Sequence, residues 1–448
     1  MGRTRVSRTA TGRILDDRDR RILALALPAL GALAIEPLYL IVDTAIVGHL
    51  GRTALGGLAV ASSVLNVAFW IFHFLLEGVT TQVALRIGAG DSHGAAHVVA
   101  RSLTVAVLMG AAVSVLLAIA ADPIAGLFGG TGSVREAAAT YLRISALAPP
   151  FIFVTLVATG YLRGIEATRA TVPIILGANA LNVVLELLLV GPLHAGVAGS
   201  AWGTVVAQIA AAVWFSAVML RRLGPSHLRP TLRHAGSLLR IGGHLFVRTG
   251  LLIGLFALGT RVAAGMGDET LGAHQIAYQM FIFLALSTDA LAVAGQTLTA
   301  TLLGSGDSDE LQAIVRRLTR MSLVVGGALA IGVAALSPVL PHIFTGDRAI
   351  VHRTTIALLI LALMQLPGAI AFQWDGVLMG ANDFGFLARA MAITFVCCAP
   401  LLFLVRSHRS VGISGLWGAL LVMMIVRAGL SVWRGRGSAW MDRRAAPA

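Results

Sequence analysis

Twelve stretches long and apolar enough to cross a bilayer run through the chain. They fall near 22–47, 55–85, 98–121, 138–162, 170–191 and 196–220, then near 241–264, 271–303, 318–339, 352–379, 386–405 and 411–432. A hydrocarbon core takes about 20 apolar residues to span as a helix. Lipid offers no partner to an open backbone N–H or C=O, so such segments must close their hydrogen bonds internally. The first run follows an Arg-rich start, but Asp16, Asp17 and Asp19 break the basic stretch and the run is long enough to span, so it reads as a retained helix rather than a leader. The expected fold is an all-α integral membrane protein with twelve transmembrane helices. With 57% hydrophobic and 12% charged residues and a mean hydropathy of +0.84, the chain lacks the polar residues to cover a soluble domain of its size.

The net charge of +13 does not point to nucleic acid, because the basic residues sit in short loops between apolar runs rather than in an aromatic-interleaved patch. All 34 basic residues are Arg. Without Lys there is no P-loop lysine, kinase-type ATP lysine or Schiff-base lysine, and no H-E-x-x-H or G-x-S-x-G is present. The chain therefore reads as a non-enzyme with no cofactor and no bound metal. Cys397 and Cys398 are adjacent, which suits neither a redox pair nor a metal knuckle.

Basic residues collect in cytoplasmic loops of membrane proteins. Arg3, Arg5, Arg8, Arg13, Arg18, Arg20 and Arg21 fall on the same side as Arg221, Arg222, Arg229, Arg233 and Arg240, as Arg316, Arg317 and Arg320, and as Arg434, Arg436, Arg443 and Arg444. Both termini are expected in the cytoplasm of a cell with the chain multi-pass in its plasma (inner) membrane; Arg406 and Arg409 run against the rule. An internal repeat is also legible. A shift of 216 positions places Gly51, Leu55 and Gly56 on Gly267, Leu271 and Gly272, "GAGD" (88–91) on "GSGD" (304–307), Gly160 and Gly164 on Gly376 and Gly380, and "GVAG" (196–199) on "GISG" (412–415). Six crossings per half give both copies the same orientation, so two six-helix bundles should be related by a pseudo-twofold axis along the membrane normal. The expected layout is a cytoplasmic tail at 1–20, a first lobe at 21–222, a linker at 223–240, a second lobe at 241–433 and a tail at 434–448. "GAGD" and "GSGD" lie at cytoplasmic helix ends and read as turns with caps rather than nucleotide loops.

A carboxylate near mid-bilayer costs about 2.5–3.5 kcal/mol on insertion scales, so such residues usually face a cavity and serve an ion or substrate. Glu36, Asp43, Glu77, Glu186, Asp289, Asp375 and the cation Arg248 occupy such positions. Asp43 precedes Gly48 by five residues and Glu186 precedes Gly191 by five, Asn182 lies one turn before Glu186, and Thr204 enters the next helix from the same side. These four can converge in the outer half of the first lobe and offer oxygen ligands for a proton or a hard cation such as Na+; the alternative is that Asn182 and Thr204 bond helix to helix and Asp43 partners a neighbouring helix. Glu36 shares the face of Asp43 two turns deeper, where it serves either a proton or cation path or a backbone carbonyl. Arg248, Asp289 and Asp375 form a second group, read either as a structural ion pair or as a substrate site, and Glu77 as structural or gating.

The stretches "PLYLIVDTAIVGHLG", "NALNVVLELLLVGPLHAGVAGSAWGTVVAQ", "ALGTRVAAGMGDETLGAHQIAYQ" and "FQWDGVLMGANDF" resemble the multidrug and toxic compound extrusion (MATE) transporters, in particular their DinF-like branch. The resemblance implies antiport of small organic, often cationic, compounds against H+ or Na+, through a V-shaped pair of bundles. It also implies a cation site at Asp43, Asn182, Glu186 and Thr204, with Tyr39 and Pro28 on the same helix, Tyr39 as a further substrate-site candidate, and a second site at Asp375. Glu186 stands where the family usually has Asp, and Glu36 at a position not always acidic.

The leading expectation is a secondary antiporter, a monomer in the lipid bilayer whose partner is a small-molecule substrate. A flippase of lipid-linked precursors, or a membrane receptor or assembly subunit, are the alternatives. Cysteines introduced at 230 and 268 are expected to label from opposite faces of the membrane, and labelling of both from outside would overturn the topology.

Overall fold

The structure, a computed structural model, describes residues 16–224, 230–232 and 235–441. Arg3, Arg5, Arg8 and Arg13, Arg229 and Arg233, and Arg443 and Arg444 lie outside the described residues, as does the side chain of Glu36. Fourteen α-helices make the crossings among the described residues. The first six crossings are α1 (Asp17–Gly48), α2 (Arg52–Phe72) with α3 (Phe74–Gly88), α4 (Ser92–Leu127), α5 (Gly132–Ser145) with α6 (Pro149–Gly164), α7 (Thr171–Val190) and α8 (Gly196–Leu223). The remaining six are α9 (Ala235–Ala264), α10 (Asp268–Ser305), α11 (Ser308–Leu336), α12 (Arg348–Gly380), α13 (Phe384–Ser407) and α14 (Gly412–Arg436).

Two crossings read as continuous in the sequence are broken. Between α5 and α6 the axis bends by 56°. Pro149 and Pro150 have no N–H to give and can only start a helix, so the chain restarts there. The second break, at His73, has no Pro or Gly to announce it. There the Leu76 and Glu77 N–H groups both reach the His73 carbonyl, at 3.0 and 3.4 Å, and the turn tightens.

Helix starts follow capping chemistry. Asp16 and Asp19 form a capping box on α1, and Asp347 accepts from the Ala349 and Ile350 N–H groups at the start of α12. Asp91 and Asp307, the acidic ends of the two "GxGD" stretches, accept from the Gly94 and Glu310 N–H groups at 2.7 and 3.0 Å, as caps rather than phosphate loops. The Gly94 N–H, with Arg86 behind it, holds the Asp91 carboxyl below the usual carboxylate range.

The repeat is present in the backbone as well as in the letters. Left-handed residues recur at the offset of 216: Gly51 and Gly267 both at φ 105°, Gly90 and Gly306 at 73° and 77°, Glu166 and Asn382 at 59° and 57°, and Gly196 and Gly412 at 58° and 53°. The two halves also meet through an exchanged pair of contacts. A Cβ on Gly88 would strike the Thr301 carbonyl, and one on Gly304 would strike that of Leu85, each contact mapping onto the other under the same offset. The pseudo-twofold axis therefore passes between α3 and α10.

Around that crossing the halves are tied by polar contacts. Gln296 donates to the Glu77 carbonyl and to Thr81 Oγ1, both at 3.0 Å; Thr81 donates to the Met379 carbonyl at 3.0 Å, and Gln82 to Asn382 at 3.1 Å. On the side where α1 begins and α14 ends, Arg18 pairs with Glu310 at 2.7 Å and Arg317 with Asp19 at 2.6 Å, joining α1 to α11. Higher up, Ala29 packs on Ala290 and Val293. At the far side α2 packs on α1, α3, α4, α5 and α8, all in its own half. The two lobes are thus fastened on the terminal side, and the cleft between them opens away from the termini.

Close helix approach at a small residue leaves no room for a side chain. Gly304→Ala is therefore expected to cost about 1–3 kcal/mol, the usual range for overpacking, read as a fall in the unfolding temperature of the purified protein; an unchanged temperature would overturn the close crossing.

Candidate ion and substrate sites

The first site lies in the far half of the first lobe, where α1, α5, α7 and α8 converge. Tyr39 and Asp43 are one turn apart on α1, so both point at α7, which presents Asn182 and Glu186 with the same spacing. Asn182 Nδ2 donates to Tyr39 Oη at 2.9 Å and lies 3.3 Å from Thr204 Oγ1; Tyr39 in turn donates to Asp43 Oδ1 at 3.3 Å. Tyr141 of α5 closes the ring, 3.4 Å from Thr204. Gly203 lets α8 approach the Glu186 backbone.

Asp43, Asn182 and Glu186 are 4%, 2% and 0% exposed. The Glu186 carboxyl faces Asp43 and Ser200, yet neither of its oxygens reaches a hydrogen-bond partner by distance and angle, and Asn182 Oδ1 has none either. A buried acceptor without a donor costs about 1–3 kcal/mol, more if charged, and two carboxylates held this close out of water repel. A proton or a hard cation would relieve both penalties. The donor set is oxygen throughout, which fits H+ or Na+, and among the described residues no group of three His, Cys, Asp or Glu side chains could hold a metal ion.

The second cluster lies at the floor of the cleft. Asp375 of α12 receives Arg248 of α9 and Arg427 of α14 on the same oxygen, Arg427 at 2.7 Å. Arg427 also stacks over the Phe372 ring, 5.2 Å from its centroid. From the other lobe come Glu77, with His73 Nε2 at 3.3 Å and Arg163 Nη1 at 3.9 Å. Asp289 of α10 lies within electrostatic reach of Arg248, Asp375, Glu77 and Arg427, and makes no ion pair among the described residues. Three carboxylates thus face three guanidinium groups.

The convergence of Asp43, Asn182, Glu186 and Thr204 expected from spacing is what the structure contains. Tyr39, a substrate-site candidate in the sequence, is hydrogen-bonded to Asp43 and Asn182 inside the first site. Arg248 meets Asp375 and not Asp289, and Asp375, doubly paired, is not an open carboxylate. Sequence reasoning passed over Tyr141, Ser200, Arg163, His73 and Arg427. Arg427 left a signal, a lone charge inside the apolar run "LLVMMIVRAGL"; Tyr141 and Ser200 left none, since their residue types are ordinary in membrane helices.

Comparison with known proteins gives a consistent picture. The MatE family profile matches residues 28–188 and 246–404, one segment in each half. The chain is 31% identical over 429 residues to Protein DETOXIFICATION 44, chloroplastic, of Arabidopsis thaliana, covering 92% of this chain and 81% of that protein. It is 27% identical over 440 residues to DNA damage-inducible protein F of Escherichia coli, covering 94% and 93%. Among solved structures it is similar to a MATE protein in its bent conformation, with a TM-score of 0.87 at 20% identity over 96% of this chain and 98% of that one. It is also similar to the outward-facing conformation of a multidrug resistance MATE family transporter of the MOP superfamily, with a TM-score of 0.84 at 19% identity over 95% and 97%.

Removing the acid from a buried ion network strands its cations, at about 3–5 kcal/mol. Asp375→Asn is expected to destabilise the protein in that range, and the Asp375→Asn, Arg248→Ala double variant to recover part of the loss in thermal unfolding; additive losses would remove the pairing.

Proposed function

The chain belongs to the MatE family, and from that premise we propose that it is a secondary active antiporter. It exports small organic compounds, cationic or amphipathic, in exchange for H+ or Na+ by alternating access of its two lobes, as a monomer in the plasma membrane with both termini in the cytoplasm. The carrying observation is the set of buried oxygens on Asn182 and Glu186, beside the buried Asp43, that no donor satisfies.

The mechanism follows from the electrostatics of that set. With the ion bound, the repulsion between Asp43 and Glu186 falls and α1, α7 and α8 pack together; with the ion gone, the pair repels and favours the other arrangement of the lobe. The two carboxyls act as one coupled unit, so the proton or cation belongs to the pair. A cation from the cleft competing for the same negative charge gives exchange without any further device. Several relatives are named for drug export: a probable multidrug resistance protein NorM of Thermotoga maritima is 24% identical over 95% of this chain, and a multidrug export protein MepA of Staphylococcus saprophyticus is 23% identical over 90%. The opening of the cleft away from the Arg-bearing side matches a resting state that releases substrate outside. Asp289, the one acid at the cleft floor without an ion pair among the described residues, is the group to hold a substrate cation; Arg248 and Asp375 frame it.

Purified protein in liposomes, given a pH gradient and a Na+ gradient in separate experiments, tests the reading directly. Asp43→Asn is expected to reduce gradient-driven movement of a fluorescent organic cation to the level of protein-free vesicles while the protein stays folded, and Glu186→Gln to do the same or displace the pH profile. If Asp43→Asn transports at the wild-type rate from pH 6 to 8, the carboxylate is structural and the mechanism is wrong.

A further inference from the structure

The offset of 216 carries Asp43 onto Gly259, Thr44 onto Thr260 and Ser200 onto Leu416, while Asn182 and Glu186 fall on Cys398 and Leu402. The second lobe therefore has no carboxylate where the first has its ion site. It has a histidine there instead. A Cβ on Gly259 would meet Leu416 at 3.6 Å and the Cε1 atom of His274 at 3.7 Å, so the His274 ring, supplied by α10, lies beside the counterpart of Asp43. His274 is 0% exposed, packed among α9, α10 and α14.

Its hydrogen bonding is half complete. Nε2 lies 3.0 Å from Thr260 Oγ1, and the Thr260 hydroxyl donates to the Phe256 carbonyl at 3.1 Å. Because that hydroxyl hydrogen is committed, Thr260 accepts from the ring, and the neutral imidazole carries its hydrogen on Nε2. Nδ1 is then a bare acceptor, and it has no partner. The Trp417 ring of α14, also 0% exposed, sits 5.8 Å away centroid to centroid with its Nε1–H unpartnered. An orphan acceptor and an orphan donor on neighbouring buried rings would both be satisfied by a single water molecule between them. Tyr278 stacks on the other side, its ring 6.1 Å off and tilted by 12°.

We propose that the second lobe has its own proton-accepting site, His274, at the position the internal repeat relates to the Asp43–Glu186 site. A hydronium entering the pocket gives its proton to Nδ1 and leaves water behind, and the ring becomes an imidazolium held by Thr260 and that water. The titratable and charged groups around it are Tyr278 on its own helix, Arg261 beside Thr260 on α9, and Arg353 of α12, which is occupied by Glu269 at 2.5 Å and by Thr270 at 2.6 Å. Among the described residues no carboxylate pairs with His274 to neutralise the new charge, so protonation strains the contact between α9, α10 and α14. Each lobe then has a protonation-dependent packing at its far end, built from different chemistry.

The test uses the full-length protein in lipid nanodiscs, labelled with 15N at its 12 histidines. The signal missing from His274→Gln belongs to His274; should that variant not fold, Thr260→Val identifies the same signal by moving it, since the partner of Nε2 is removed. The signal is expected to report an Nε2–H ring near pH 8 and a doubly protonated ring only near pH 3, in the wild type and equally in Asp43→Asn, which separates it from the first site. A ring that stays neutral through that range overturns the proposal. In liposomes under a pH gradient, His274→Gln is expected to flatten the pH dependence of transport; an unaltered profile would remove its part in coupling.

Discussion

The crossing of α3 and α10 is the constraint on which the rest of the architecture depends. In a bilayer, apolar surface gives helices no reason to prefer one another to lipid, so association rests on close packing and hydrogen bonds. Gly88 and Gly304 bring two backbones together at the pseudo-twofold axis, and Gln296, Thr81 and Gln82 bond across the seam. These contacts sit on the terminal side, so the lobes are joined there and free to part at the other end. The cleft, its floor and the depth of every polar group follow from that one seam.

Two kinds of buried charge meet in this frame, and their pairing separates their roles. At the cleft floor Asp375 is matched by Arg248 and Arg427, and Glu77 by His73 and Arg163. These pairs lose much when one member is removed and have little to gain from binding another ion, which leaves Asp289 as the acid of that cluster without a pair among the described residues. In the first lobe the reverse holds. Glu186 and Asn182 keep oxygens without donors at nearly complete burial, a cost that a structural role would not leave in place. That contrast is the ground on which the cation or proton site is proposed in the first lobe.

The two halves keep one backbone and diverge in chemistry. Matching left-handed residues and matching capping aspartates at a fixed offset show that the turns and helix ends are common to both. The interiors are not: Asp43 and Glu186 of the first lobe have Gly259 and Leu402 as counterparts, and the room beside Gly259 is taken by His274. On the proposed mechanism, a symmetric scaffold with asymmetric interiors would let one rocking motion respond to groups of different character in the two lobes.

Hydrophobic run length alone determined the class of fold and the count of crossings, because a bilayer admits no other solution for segments of that length. The repeat and the capping aspartates were legible too, since turns that need a positive φ demand Gly at fixed places. Spacing along single helices also brought Asp43, Asn182, Glu186 and Thr204 towards one another, as helical periodicity puts residues one turn apart on one face. What spacing could not reach was contact between helices far apart in the chain. The break at His73, the place of Tyr39 inside the first site, the pairing of Asp375 with Arg427 as well as Arg248, and the position of His274 beside Gly259 all depend on helix rotation and crossing. Those are decided only when side chains from several spans compete for the same space.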